Sequence, residues 1–217
     1  MASVFAKPVK ALITSFDPFL GETVNPSQLI AQSVWARQSQ YVENGIELHY
    51  LNLPVSYDRV WKKMSPVLKK LKPDVILMIG QAGGRSNVCL EKHLVNWCEA
   101  KHRDEDGKFR RGVKIISSGP DCIQSPAPVE RWVKALKRIS PRVQVSLSAG
   151  QFLCNQLAFL VGHESLRSSK NTMWLFVHVP FTPEQGRKNK ETSLSLKTST
   201  QIVKKIFELM ITAQVAN

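Results

Sequence analysis

In Asp74-Val75-Ile76-Leu77-Met78-Ile79-Gly80 every residue after Asp74 is apolar, on both alternating faces of a strand. A strand of that kind has to be covered on both sides, which calls for helices above and below a largely parallel sheet. Met173-Trp174-Leu175-Phe176-Val177-His178-Val179-Pro180-Phe181 makes the same demand and carries one imidazole near its end, just before a proline that stops ladder pairing. Around these two runs, strand-like and helix-like segments alternate. Residues 10–16, 45–53, 143–147 and 171–179 read as further or longer strand segments. Asn25-Pro26-Ser27 opens a helix with Asn25 or Ser27 as its cap, and residues 57–72, 129–139, 151–161 and 194–213 follow helical spacing, the first of these interrupted by Pro66. Alternation of this sort predicts a three-layer α/β/α sandwich with a mostly parallel or mixed central sheet. No Ser/Gly/Pro-rich linker divides the 217 residues, so a single domain over 1–217 is expected. Periodicity fails from 96 to 125, where residues 101–108 read as an exposed excursion of the type that is often functional.

Cys154 lies where the β-rich run Val143-Gln144-Val145-Ser146-Leu147 gives way to a helical one, in Ser148-Ala149-Gly150-Gln151-Phe152-Leu153-Cys154-Asn155. Backbone N–H groups at a helix start favour negative charge, which would lower the thiol's pKa and offer donors to an oxyanion. A buried structural thiol is the plain alternative. His178 is near a strand's C-terminal end, where open α/β sheets assemble their sites, although an isolated histidine there is more commonly a satisfied core residue. Glu91 follows the glycine-rich stretch Gly80-Gln81-Ala82-Gly83-Gly84-Arg85 and alone would read as a solvated carboxylate. Together the three residue types match a thiol nucleophile, its base and an orienting acid.

Four cysteines without a C-x-x-C pair, and no recognisable signal peptide, argue for reduced thiols and a cytoplasmic protein. The apolar stretch 11–14 is too short for a membrane span, and five scattered histidines build no zinc spacing, so neither membrane, metal nor cofactor is expected. The net charge of +13 comes from clusters at 62–63, 69–72, 110–111, 187–190 and 204–205. They read as polar faces of separate helices, so nucleic-acid binding is not expected.

The chain resembles the pyroglutamyl peptidase I (pyrrolidone-carboxylate peptidase) family. The likeness rests on Thr14-Ser15-Phe16-Asp17-Pro18-Phe19-Leu20-Gly21 through Ser27, Pro54-Val55-x-Tyr57, Gly80 to Arg85, Leu90-Glu91-Lys92, Ser148 to Asn155, and His178-Val179-Pro180-Phe181-x-Pro183-Glu184-Gln185, in that order along nearly the whole chain. The resemblance implies a cysteine peptidase that removes N-terminal pyroglutamyl residues, with Cys154 as nucleophile, His178 as base and Glu91 as orienting acid. It further implies that Phe16, Phe19 and Phe152 bracket the lactam, that backbone groups near Asn25 and Gln81 read its polar edge, that Lys101 supports the scissile carbonyl, and that the chain forms a homodimer or homotetramer. A neutral lactam carries no ammonium, so an apolar slot with a few backbone donors and acceptors suits it. Ser15 and Leu20 stand where the family usually has glycines, and Lys101 where bacterial members have arginine. The competing readings are a weakened family member acting as a binding protein, with nucleic acid as one partner, and a phosphate cradle at Gly80–Arg85, which lacks the G-K-[ST] ending of a P-loop.

Overall fold

A computed structural model describes residues 7–216. In chain order the elements are β1 (Val9–Phe16), α1 (Pro26–Trp35), α2 (Gln38–Glu43), β2 (Ile46–Leu53), α3 (Arg59–Leu71), β3 (Val75–Gln81), β4 (Val88–Glu91), β5 (His93–Val95), β6 (Cys98–Glu99), β7 (Arg111–Val113), β8 (Cys122–Gln124), α4 (Val129–Leu136), β9 (Val143–Ser146), α5 (Leu153–Arg167), β10 (Met173–Val179), α6 (Pro183–Asn189) and α7 (Leu196–Val215). The central sheet has the order β2-β1-β3-β10-β4-β9. Its first four strands run parallel, and β4 and β9, parallel to each other, run against β10. The expected mixed α/β/α sandwich is therefore what the chain forms.

Strand alternation sorts the core into two layers. Ala11, Ile13, Leu77, Ile79, Leu175 and Val177 pack with α1, α4 and α7 on one face. Leu12, Phe16, Met78, Trp174 and Phe176 pack with α3 and α5 on the other. His178, two residues beyond Phe176, projects to this second face, the same one that carries α5 and Cys154. β3 is buried at every position, as its composition demands.

Several boundaries differ from the sequence reading. Helix α5 runs six residues beyond 161, to Arg167, and α3 continues through Pro66. Of the two caps the sequence offered for α1, Asn25 is the one used, its side chain accepting from Ser27 N. The aperiodic stretch 96–125 holds β6, β7 and β8, whose ladders of two or three residues are too short to show a period. Arg110 and Arg111 belong to this region and not to a helix face: Arg110 lies 5.1 Å over the Tyr57 ring and Arg111 pairs with Glu99. The excursion is also held down. Asp104, 5% exposed, accepts from Tyr57 N (2.8 Å), Glu105 N donates to Val55 O (3.0 Å), and Arg59 pairs with Asp106.

Candidate active site

The turn 148–150 ends in Gly150 at φ 77°, a backbone conformation that suits glycine, and releases the chain into α5 with Phe152 at the N-cap. Cys154 therefore sits in the first turn. The first N–H groups of a helix have no acceptor within it, and Phe152 supplies no side-chain cap, so these donors face the thiol's surroundings. Beneath Cys154 lies Gly80 of β3. A Cβ there would come within 3.0 Å of Cys154 Sγ and 2.8 Å of the Phe176 ring, so only glycine leaves room for the sulfur at this point of the sheet.

Gly80 is the register partner of His178 on β10, and Cys89 of β4 is its partner on the other side. His178 Nδ1 lies 2.8 Å from Glu91 Oε1. An ionised carboxylate only accepts, so Nδ1 carries the proton and Nε2 keeps its lone pair. Glu91, expected from sequence to be solvated if taken alone, is fully buried on β4. Its Oε1 also accepts from Arg85 Nη1 at 2.6 Å, while Arg85 Nη2 donates to Ser148 O at 2.9 Å. Arg85 is the participant sequence reading passed over. It closes the glycine-rich motif, but nothing in the sequence says that the turn brings it back onto a carboxylate six residues later.

Electrostatics correct one expectation. Burial pushes the Cys154 thiol up to about 12, with the Glu91 charge adding to the rise and Arg85 opposing it. Desolvation of a thiolate outweighs the partial charge of the helix start, so the thiol's pKa is raised where the helix start was expected to lower it. Burial likewise lowers the pKa of His178, with Arg85 acting in the same direction and Glu91 against it. The resting pair is thus neutral: a thiol beside an imidazole with a free lone pair.

Beside the thiol, Phe16, Phe19, Asn25, Val55, Gln81, Phe152 and Leu153 line a narrow slot with Cys154. Phe19 and Phe152 face each other with ring centroids 6.3 Å apart, 26° from coplanar. Tyr57 meets Phe152 edge-on at 5.5 Å and backs that wall. Asn25 is tied down by its own turn, its Nδ2 donating to Asp17 O at 3.0 Å. Gln81 Oε1 accepts from Gln185 Nε2 (3.1 Å), which also reaches Val24 O (3.0 Å). Leu20, just after Phe19, has φ 53°, which is where a glycine would be at ease, and its N–H donates to Glu105 Oε1 at 3.3 Å. Ser15 points to the other face, its hydroxyl donating to Asn52 Oδ1 at 2.6 Å, so it takes no space from the slot. The structure brings together every sequence-selected residue except Lys101, which is exposed beyond β6 and does not line the slot.

Residues 9–213 match the sequence model described as pyroglutamyl peptidase. The pyrrolidone-carboxylate peptidase of Bacillus licheniformis is 34% identical over 189 residues, covering 87% of this chain and 86% of that one. That of Thermococcus onnurineus is 32% identical, over 94% of this chain and 97% of the other. Among solved structures, the pyrrolidone carboxyl peptidase of Fervidobacterium islandicum superposes with a TM-score of 0.84 at 36% identity, over 92% of this chain and 97% of that chain. Pyroglutamyl peptidase I of Bacillus amyloliquefaciens does so with a TM-score of 0.83 at 32% identity, over 91% and 94%.

Proposed function

The chain belongs to the pyroglutamyl peptidase family, and from that premise we propose that it hydrolyses the bond after an N-terminal pyroglutamyl residue with Cys154, His178 and Glu91 as its catalytic set. The observation that carries the residue assignment is the convergence of a helix-start thiol, an imidazole fixed in the Nδ1–H tautomer and a buried carboxylate around Gly80.

Cys154 Sγ attacks the pyroglutamyl carbonyl while its proton passes to His178 Nε2, so charge separates only as the bond forms. The carbonyl oxygen becomes an oxyanion facing the unpaired N–H groups of the first turn of α5. The imidazolium, held by Glu91, returns its proton to the leaving amine, and the C–N bond breaks to leave a thioester. Water, deprotonated by the same imidazole, hydrolyses the thioester and frees pyroglutamate and the thiol.

The lactam ring stacks between Phe19 and Phe152. A ring with stacking partners on both faces needs about 7 Å between them, at roughly 3.5 Å per contact, so the 6.3 Å spacing widens by a fraction of an ångström as substrate enters. The left-handed Leu20–Gly21 turn behind Phe19 is where that movement is absorbed. Backbone groups near Asn25 and Gln81 take the lactam's polar edge. Lys101 is exposed and is not among the residues that line the slot. The whole chain acts as one domain, as a cytoplasmic homo-oligomer.

The test is turnover of pyroglutamyl, glutaminyl and prolyl amides with one shared leaving group, by the wild type and Cys154→Ala. Only the pyroglutamyl amide is expected to turn over, since an ammonium in the apolar slot costs several kcal/mol. Cys154→Ala is expected to lose several orders of magnitude. Comparable rates on the three amides would remove the specificity, and an active Cys154→Ala would remove the nucleophile.

A further inference from the structure

We propose that Arg85 is a positioning residue that locks the acid–base arm of the site to the turn delivering the nucleophile, an inference that rests on the catalytic reading of Cys154, His178 and Glu91. One guanidinium nitrogen donates to Glu91 Oε1 (2.6 Å) and to Ser146 Oγ (3.3 Å), and the other to Ser148 O (2.9 Å). Glu91 is the acid that holds His178. Ser148 opens the turn to Gly150, after which Phe152 caps α5 and Cys154 follows. One planar fork thus ties two segments separated by 57 residues, from Glu91 to Ser148, that must stay in register for thiol and imidazole to meet.

The charge matters as much as the fork. Glu91 has no exposure, and its Oε2 has no hydrogen-bond partner among the described residues. Burying a charge that deeply is costly unless a partner of opposite sign lies beside it. The guanidinium, a quarter exposed, is that partner. The ionisable groups around it are Glu91 and Cys89 from β4, His178 from β10 and Cys154 from α5, with the Glu191 carboxylate over Gly83 and Gly84 of the same turn. Toward His178 the guanidinium opposes proton uptake, and toward Cys154 it favours loss of the proton. Removing it lets His178 take up a proton at higher pH, which moves the acidic limb of activity upward. Lysine would restore the charge but not both branches of the fork.

The experiment compares wild type, Arg85→Met and Arg85→Lys by the pH dependence of kcat and KM on a pyroglutamyl amide, with NMR titration of His178 in each. Arg85→Met is expected to lower kcat by about a hundredfold, the cost of a misplaced catalytic group, with KM little changed and both the acidic limb and the His178 titration moved to higher pH. Arg85→Lys is expected to return the limb and the titration to their wild-type positions with only part of the rate. Wild-type kinetics in Arg85→Met, or equal losses in both variants with an unmoved limb and titration, would overturn the proposal. A wild type that turns over no pyroglutamyl amide would instead sink the catalytic reading, leaving the His178 titration to report on Arg85 alone.

Discussion

At the scale of single residues, the site depends on what is missing as much as on what is present. Gly80 has no Cβ, and the space so left is filled by the Cys154 sulfur over the strand that pairs with His178. The sulfur in that position is desolvated, which is why its pKa rises to about 12 despite the helix start beneath it. A neutral thiol–imidazole pair has a distinct pH signature. His178 must be unprotonated to accept the proton, and its pKa lies below the ordinary 6.5, so kcat/KM is expected to hold through neutral pH and fall only below that value. Alkylation of free Cys154 by iodoacetamide is expected to be slow at neutral pH and to climb steadily into the alkaline range, since the thiolate fraction grows toward the raised pKa. A fast, pH-independent alkylation plateau extending into acid would show a preformed thiolate–imidazolium pair and contradict the neutral one. Cys154, His178 and Glu91, the proposed nucleophile, base and acid, could be singled out in the sequence because a helix start, a strand end and a glycine-rich turn each leave a local mark. Arg85 was not, because its role comes from strand register and from a turn geometry no spacing encodes.

At the scale of elements, the slot is held by pieces that the sequence shows unevenly. Helices α3, α5 and α7 have clear apolar stripes and were found; α2 has no buried residue and left no stripe to find. Helix α6 is short, but Thr182-Pro183-Glu184-Gln185 carries a capping signature: Thr182 Oγ1 accepts from Gln185 N (3.4 Å) and Gln185 Oε1 accepts from Thr182 N (3.1 Å). Gln185 then spends its amide on Gln81 and Val24 beside the slot. The cap therefore serves both helix and pocket. Thr182→Ala is expected to cost about 1 kcal/mol of stability, measured by urea unfolding, and to raise KM for a pyroglutamyl amide while kcat stays near wild type. An unchanged KM would mean that Gln185 holds Gln81 without help from the cap. The excursion at 101–108 is another such piece, invisible as structure in the sequence because it is fastened by Asp104, Glu105 and Asp106 to residues about fifty positions away.

At the scale of the whole molecule, the two apolar runs dictated the architecture, since a sheet whose central strands are buried on both faces admits few arrangements. What composition could not convey is where the charge goes. The excess of basic residues is spread over α3, α6, α7 and the β6–β7 region, and no membrane-crossing helix occurs among the described residues. The slot, the thiol and the imidazole gather at the C-terminal edge of β1, β3 and β10, the place where this class of fold leaves room for a ligand. The central claim is that Cys154 carries the pyroglutamyl group during turnover. Mixing enzyme with a pyroglutamyl ester, quenching in acid within the first turnover and mapping the digested protein by mass spectrometry tests it directly. The expected result is a pyroglutamyl thioester on the peptide containing Cys154, with Cys89, Cys98 and Cys122 unmodified and no adduct in Cys154→Ala. Turnover with no acyl group on Cys154, or an adduct on another residue that persists in Cys154→Ala, would contradict it.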